Sequence, residues 1–132
     1  ERLAAELGLQ DQVQFLGLVR DVPQRLMASR IAVLSTHYEG MPLALVEGMA
    51  AGCAVVGSAV PGVQEILRDG VNGRLVAHRD PRSMADALEG LLRDPALAAR
   101  LAREARREAI DAYSLERMNR EYEELFCRLM QR

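Results

Sequence analysis

Three short runs, Ile31–Ser35, Ala54–Gly57 and Arg74–Val76, alternate with longer amphipathic stretches, and that alternation constrains the fold more than any other feature of the chain. An unbroken apolar run such as Ile31–Ser35 suits a central strand covered on both faces, because a strand with one wet face would alternate apolar with polar. Strand-like runs separated by helix-length segments join through crossovers, which place helices on the faces of a parallel sheet. The class expected is therefore α/β. At 132 residues the chain can bury one sizeable core and is too short for two ordinary domains.

The remaining segments fill in this outline. Arg2–Leu7 reads as an amphipathic helix already under way with no initiator methionine, as in a piece cut from a longer polypeptide. Val13–Leu16 reads as a strand. Asp21–Ser29 reads as a short helix, with Asp21 as its N-cap and Pro23 in the first turn. Thr36–Met41 is a loop, and Pro42–Ala51 is a helix that Pro42 starts and Gly52 stops. Pro61-Gly62 leads into a short helix over Val63–Arg68. Gly70, Asn72 and Gly73 then supply turn chemistry before Arg74–Val76. From Pro81 the pattern is helical, over 81–92 and 95–111 with a hinge at Asp94-Pro95. Ser114 caps a final helix whose Leu115, Met118, Tyr122, Leu125, Phe126 and Leu129 form one apolar stripe.

Charge and cysteine usage narrow the function classes. All 17 basic residues are arginine, against 19 acidic ones, for a net charge of −2. Without lysine there is no P-loop lysine and no Schiff-base lysine. Without a basic face no nucleic-acid partner is expected. The arginines between Arg100 and Arg107 read as a solvated helix face. No apolar stretch approaches the roughly 18–20 residues that span a bilayer. Cys53 and Cys127 lie far apart and read as two buried thiols, which points to a reducing, cytoplasmic setting. No group of ligands has metal-site spacing. His37 and His78 read as surface histidines.

The segment His37-Tyr38-Glu39-Gly40-Met41-Pro42-Leu43-Ala44-Leu45-Val46-Glu47 carries the chemistry. In parallel α/β sheets ligands bind beyond the carboxyl ends of strands, where loops enter helices. Gly40 permits close backbone approach, and Pro42 fixes the helix start. Amides of Met41, Leu43 and Ala44 at that start, with the positive end of the helix dipole, suit a pyrophosphate and need no lysine. Glu39 precedes the helix, within reach of a group on the outer phosphate. Glu47 lies five residues past Pro42, about 7.5 Å along the axis, an offset that suits the ribose on the inner phosphate. A carboxylate can accept from both hydroxyls of a cis-diol.

These residues resemble a known family. Glu39 and Glu47 within EGMPLALVEGMAAG resemble the EX7E motif of the retaining GT-B glycosyltransferases, especially family 4, the glycosyl transferases group 1. Val13-Gln14-Phe15-Leu16-Gly17 is similar to the family's V-x-F-L-G strand, and Ala32–Ser35 to the strand before its motif. Gly48–Val56 resembles E-A-M-A-x-G-x-P-V-V, with Gly48 for the usual Ala and Ala54 for the usual Pro. Gly62–Ile66 and Asp69–Val76 resemble G-x-x-E-I and D-G-x-N-G-x-L-V, and Glu65 in that match either anchors its loop or touches ligand. The resemblance covers nearly the whole chain.

The resemblance implies the C-terminal half of a GT-B fold, Rossmann-like and truncated at its N-terminus. Residues 1–110 would form the partial nucleotide-sugar-binding domain, and 111–132 a helix crossing to a missing N-terminal acceptor domain. The reaction implied is transfer of a sugar from a nucleotide-sugar to a hydroxyl acceptor, with retention, with neither metal nor cofactor. Glu39 would be the catalytic contact to the transferred sugar, and Glu47 would hold the ribose. The Met41 and Leu43 amides would hold the diphosphate, Gly40 and Pro42 would belong to the same donor site, and the stretch around Gly17 and Val19 would edge the base. The whole enzyme could also associate peripherally with a membrane. Two other readings stand beside it: a GT-B sugar-nucleotide epimerase, and a non-catalytic Rossmann-like domain that docks partners. Residues 1–132 alone are expected to bind nucleotide weakly and to transfer no sugar.

Overall fold

Ala54–Ser58 is the strand around which the molecule is built, because every one of its residues is buried. In the computed structural model, which describes residues 1–131, the elements in chain order are α1 (Arg2–Glu6), α2 (Val22–Ala28), β1 (Ile31–Leu34), α3 (Leu43–Ala51), β2 (Ala54–Ser58), α4 (Pro61–Ile66), β3 (Arg74–Val76), α5 (Pro81–Arg93), α6 (Pro95–Tyr113) and α7 (Leu115–Met130). β1 and β3 flank β2, both parallel to it, in the order β1-β2-β3. Ile31 pairs with Ala54 and Leu34 with Gly57, while Val56 pairs with Arg74 and Ser58 with Val76. This is a Rossmann-like α/β sheet with C-terminal helices.

Side chains alternate across β2 and so feed two cores. Val55 joins Leu45, Met49, Val63, Ile66 and Ala105 on one side. Ala54 and Val56 join Val76, Ala87, Leu91 and Leu101 on the other. α6 therefore serves both layers and holds the sheet from behind. α3 ends where Gly52 adopts φ 86, a left-handed conformation that costs glycine little. α3 also lies close on β1, since a Cβ on Gly48 would sit 2.9 Å from that of Ala32. Caps fix the later helices. The Asp80 carboxylate accepts from the Arg82 and Ser83 amides, that of Asp94 from Leu97, and the Ser114 hydroxyl from Arg117. Such caps are typically worth about 1 kcal/mol each.

The structure corrects several sequence expectations. Val13–Leu16 forms no strand, and Phe15 is 55% exposed. No strand lies beside it to take its backbone groups or cover its side chains. Ile31–Ser35 is not a central strand but an edge strand that ends at Leu34, and Val33, although paired with Val56, is 47% exposed. α4 begins at Pro61, two residues before the expected start and with Val60 as its cap. Cys53 is buried as expected, its thiol donating to the Leu26 carbonyl at 3.2 Å. Cys127 is exposed, because α7 buries none of its residues. Asn72 does more than turn the chain. It is fully buried, accepts from the Arg68 amide at 2.7 Å and donates to Ile66 O and to Glu108 Oε2. Glu108 also pairs with the Arg68 guanidinium, so this cluster ties α6 to the turn before β3.

Candidate functional site

The loop between β1 and α3 runs over the carboxyl edge of the sheet and is shaped by its own hydrogen bonds. The Thr36 hydroxyl donates to the Tyr38 carbonyl at 3.1 Å. Pro42 is buried, with φ −78 and ψ 74. These are the dihedrals of an inverse γ-turn, and the Leu43 amide accordingly donates to Met41 O at 2.9 Å. The Leu45 and Val46 amides both reach back to Pro42 O. Of the three amides expected to be free, that of Leu43 is therefore spent inside the turn. Those of Met41 and Ala44 make no hydrogen bond with any described residue. Pro42 stands at the N-cap rather than the first helical position.

A second loop fixes the height of this one. A Cβ on Gly62, in the first turn of α4, would meet the Glu39 carbonyl and would lie 2.5 Å from that of Gly40. The backbone before the helix thus rests on a glycine that leaves room for it. Glu39 is half-buried at this seat, while Glu47 is exposed on α3. Neither carboxylate is engaged in an ion pair or hydrogen bond with a described residue, so both remain available to a ligand. Gly40 is exposed with open space where a Cβ would stand, and Met41 and Leu43 are exposed. The structure thus brings Glu39, Gly40, Met41, Pro42, Leu43 and Glu47 onto one loop and helix start.

Gly17 and Val19 are not tied to that group. Gly17 is left-handed with φ 60 and nothing near its Cα, and Val19 is half-buried. No described hydrogen bond links either to the loop before α3. Glu65 is exposed on α4. Among the described residues, no group of three or more His, Cys, Asp or Glu side chains could hold a metal ion.

One feature of the site is invisible in local sequence. His37, after β1, and His78, after β3, are exposed, yet His37 Nδ1 lies 2.8 Å from His78 Nε2. The rings meet edge to face with centroids 5.1 Å apart. Forty-one positions separate them, and only the parallel strand order brings their loops together. They line a cavity of about 320 Å³ at the carboxyl ends of all three strands, with Ser35, Ser58, Arg79 and Met84. Glu39 and Glu47 do not line it.

Comparison with known proteins follows the same lines. Residues 1–108 match the family of glycosyl transferases group 1. D-inositol 3-phosphate glycosyltransferase of Frankia alni is 40% identical over 103 residues, covering 76% of this chain and 25% of that protein. N-acetyl-alpha-D-glucosaminyl L-malate synthase of Bacillus anthracis is 30% identical over 125 residues, covering 95% of this chain and 33% of that protein. The crystal structure of Anabaena Alr3699/HepE in complex with UDP and glucose superposes with a TM-score of 0.91 at 28% identity, over 96% of this chain and 35% of that one. The C-terminal domain of a glycosyl transferase group 1 family protein (LpcC) from Francisella tularensis gives a TM-score of 0.76 at 28% identity, over 86% and 60%. The chain spans about a quarter to a third of the length of the curated relatives it matches.

Proposed function

The chain belongs to the glycosyl transferases group 1 family, and from that premise we propose that it is the donor-binding part of an enzyme that moves a sugar from a nucleotide-sugar to a hydroxyl acceptor with retention. The observation that carries this reading is the start of α3, where the unengaged Met41 and Ala44 amides stand between two unpaired carboxylates. Amides with no protein partner at a helix start favour an anion, and the dipole adds about 0.3–1 kcal/mol at an exposed site. The diphosphate would lie there, Glu47 would accept from the ribose hydroxyls, and Glu39 would contact the transferred sugar. Gly40 and Pro42 would shape the approach, and Leu43 would contribute its exposed side chain rather than its amide. Gly17 and Val19 would edge the base.

The acceptor would be held by a second α/β domain, reached by the exposed stripe of α7. Residues 1–110 would then be the nucleotide-sugar part and 111–132 the crossing helix. Among the described residues no helix is long and apolar enough to span a membrane. The reading places the whole enzyme in the cytoplasm, with at most a peripheral contact to the membrane.

Helix-end amides supply partial charge only, so the 132-residue chain should bind nucleotide weakly and transfer no sugar by itself. The test is an amide-resolved NMR titration with UDP and with GDP. The Met41 and Ala44 signals should move first and saturate, while those of α5, which contributes no residue to this site, stay still. Uniform or absent shifts would remove the site assignment, and robust sugar transfer by this chain would refute the division of labour.

A further inference from the structure

The cavity beside the donor loop is left unexplained by that function. Its polar lining combines groups that can donate, Ser35, Thr36, His37, Ser58, His78 and Arg79, with the Asp80 carboxylate, which only accepts. Ser58 is only 5% exposed, yet its hydroxyl makes no hydrogen bond with any described residue. No buried side-chain polar atom among the described residues lacks a partner, so this hydroxyl reaches solvent, and at the cavity it lines it can donate to a ligand. Arg79 forms no ion pair with a described residue. Among the described residues it is also the one non-glycine residue with positive φ, at 60. It stands in a turn closed by Asp80 N to Ala77 O, and holding a side chain there costs about 1–2 kcal/mol. Of the Asp80 carboxylate, Oδ1 accepts from the Arg82 and Ser83 amides, while no described residue donates to Oδ2.

We propose that this cavity is an oxyanion site, separate from the diphosphate cradle, that takes a phosphate group between Arg79, the Ser58 hydroxyl and the His37–His78 pair. A nitrogen–nitrogen distance of 2.8 Å admits one bridging proton, so one ring donates and the other accepts. A second proton turns both rings into donors that repel each other, and an oxyanion between them relieves that repulsion. The charged groups facing the pair are Arg79 and Asp80 from the connection after β3; β1, β2 and α5 present none to the cavity. The phosphate is either a free ion or an ester on a small hydroxylated molecule. This site goes beyond the donor reading and does not depend on it.

The experiment follows the ring signals of His37 and His78 in the full chain by NMR, at pH 6 and pH 8 and constant ionic strength. Inorganic phosphate, glycerol phosphate and glycerol are the three titrants. Saturable ring shifts with both phosphates are expected at either pH. Equal affinity marks a free-ion site and tighter glycerol phosphate an ester site, and both uphold the proposal. Arg79→Gly, which suits the left-handed backbone, should keep or raise the melting temperature while weakening phosphate at least about tenfold. Ser58→Ala should weaken it severalfold, and UDP binding should be unchanged in Arg79→Gly. Absent shifts, shifts that survive Arg79→Gly, or equal shifts with glycerol would overturn the site. If phosphate moves the rings but UDP moves nothing, the donor reading falls and this one stands.

Discussion

Gly62 shows how one residue can set a binding site it does not belong to. Its missing side chain leaves space for the Glu39 and Gly40 carbonyls, which are backbone and cannot rotate away. Gly62→Ala must push the loop off α4, at a cost of about 1–3 kcal/mol for an overpacked contact. Chemical denaturation should show that loss, and UDP affinity should drop with it. Unchanged affinity in a folded Gly62→Ala chain would separate the loop from the site.

Asp69 makes a residue-scale prediction about pH. Burial pushes its carboxyl up, but the Leu75 amide and the Arg74 guanidinium outweigh that and leave it below the ordinary carboxylate range. A depressed carboxyl stabilises the fold above its unfolded value of about 3.9 and loses that contribution as pH falls through the folded value. Asp69→Asn should therefore flatten part of the stability loss below about pH 4. An acid-unfolding curve parallel to that of the native chain would contradict this.

Among the elements, α7 differs from all the other long helices. None of its residues is buried, its substantial packing is against α6 alone, and Leu115, Tyr122 and Phe126 are each more than half exposed. A 16-residue helix without tertiary cover is marginal in water. Its amides should exchange with solvent well ahead of those of α6, whose Leu101, Ala105 and Ala109 are buried. Equal protection of α6 and α7 would mean that the stripe is covered.

The elements also show where sequence reading succeeds. β2, α3, α5 and α6 lie within a residue or two of their expected bounds, because proline, glycine and capping residues punctuate them locally. Val13–Leu16 and Ile31–Ser35 are apolar enough for strands. However, whether a strand forms or is covered depends on its neighbours, which local sequence does not contain. The Glu39–Glu47 spacing was legible because it lies within one loop and one helix. The His37–His78 contact and the Asn72–Glu108 bond were not, since each joins residues that only the strand order and the packing of α6 bring together.

At the scale of the whole molecule, the start of α3 faces the carboxyl edge of the sheet, and the exposed edge of β1 and the stripe of α7 lie uncovered. The absence of lysine is consistent with this arrangement, because phosphate can be met by amides at a helix start. On the proposed function, the chain holds a nucleoside diphosphate through Glu47. Isothermal titration of the native chain and of Glu47→Ala with UDP and GDP tests that most directly. The account predicts weak, saturable binding of at least one nucleotide, reduced about tenfold or more in Glu47→Ala by loss of a charge-assisted bond. Equal affinity in the two chains would contradict it.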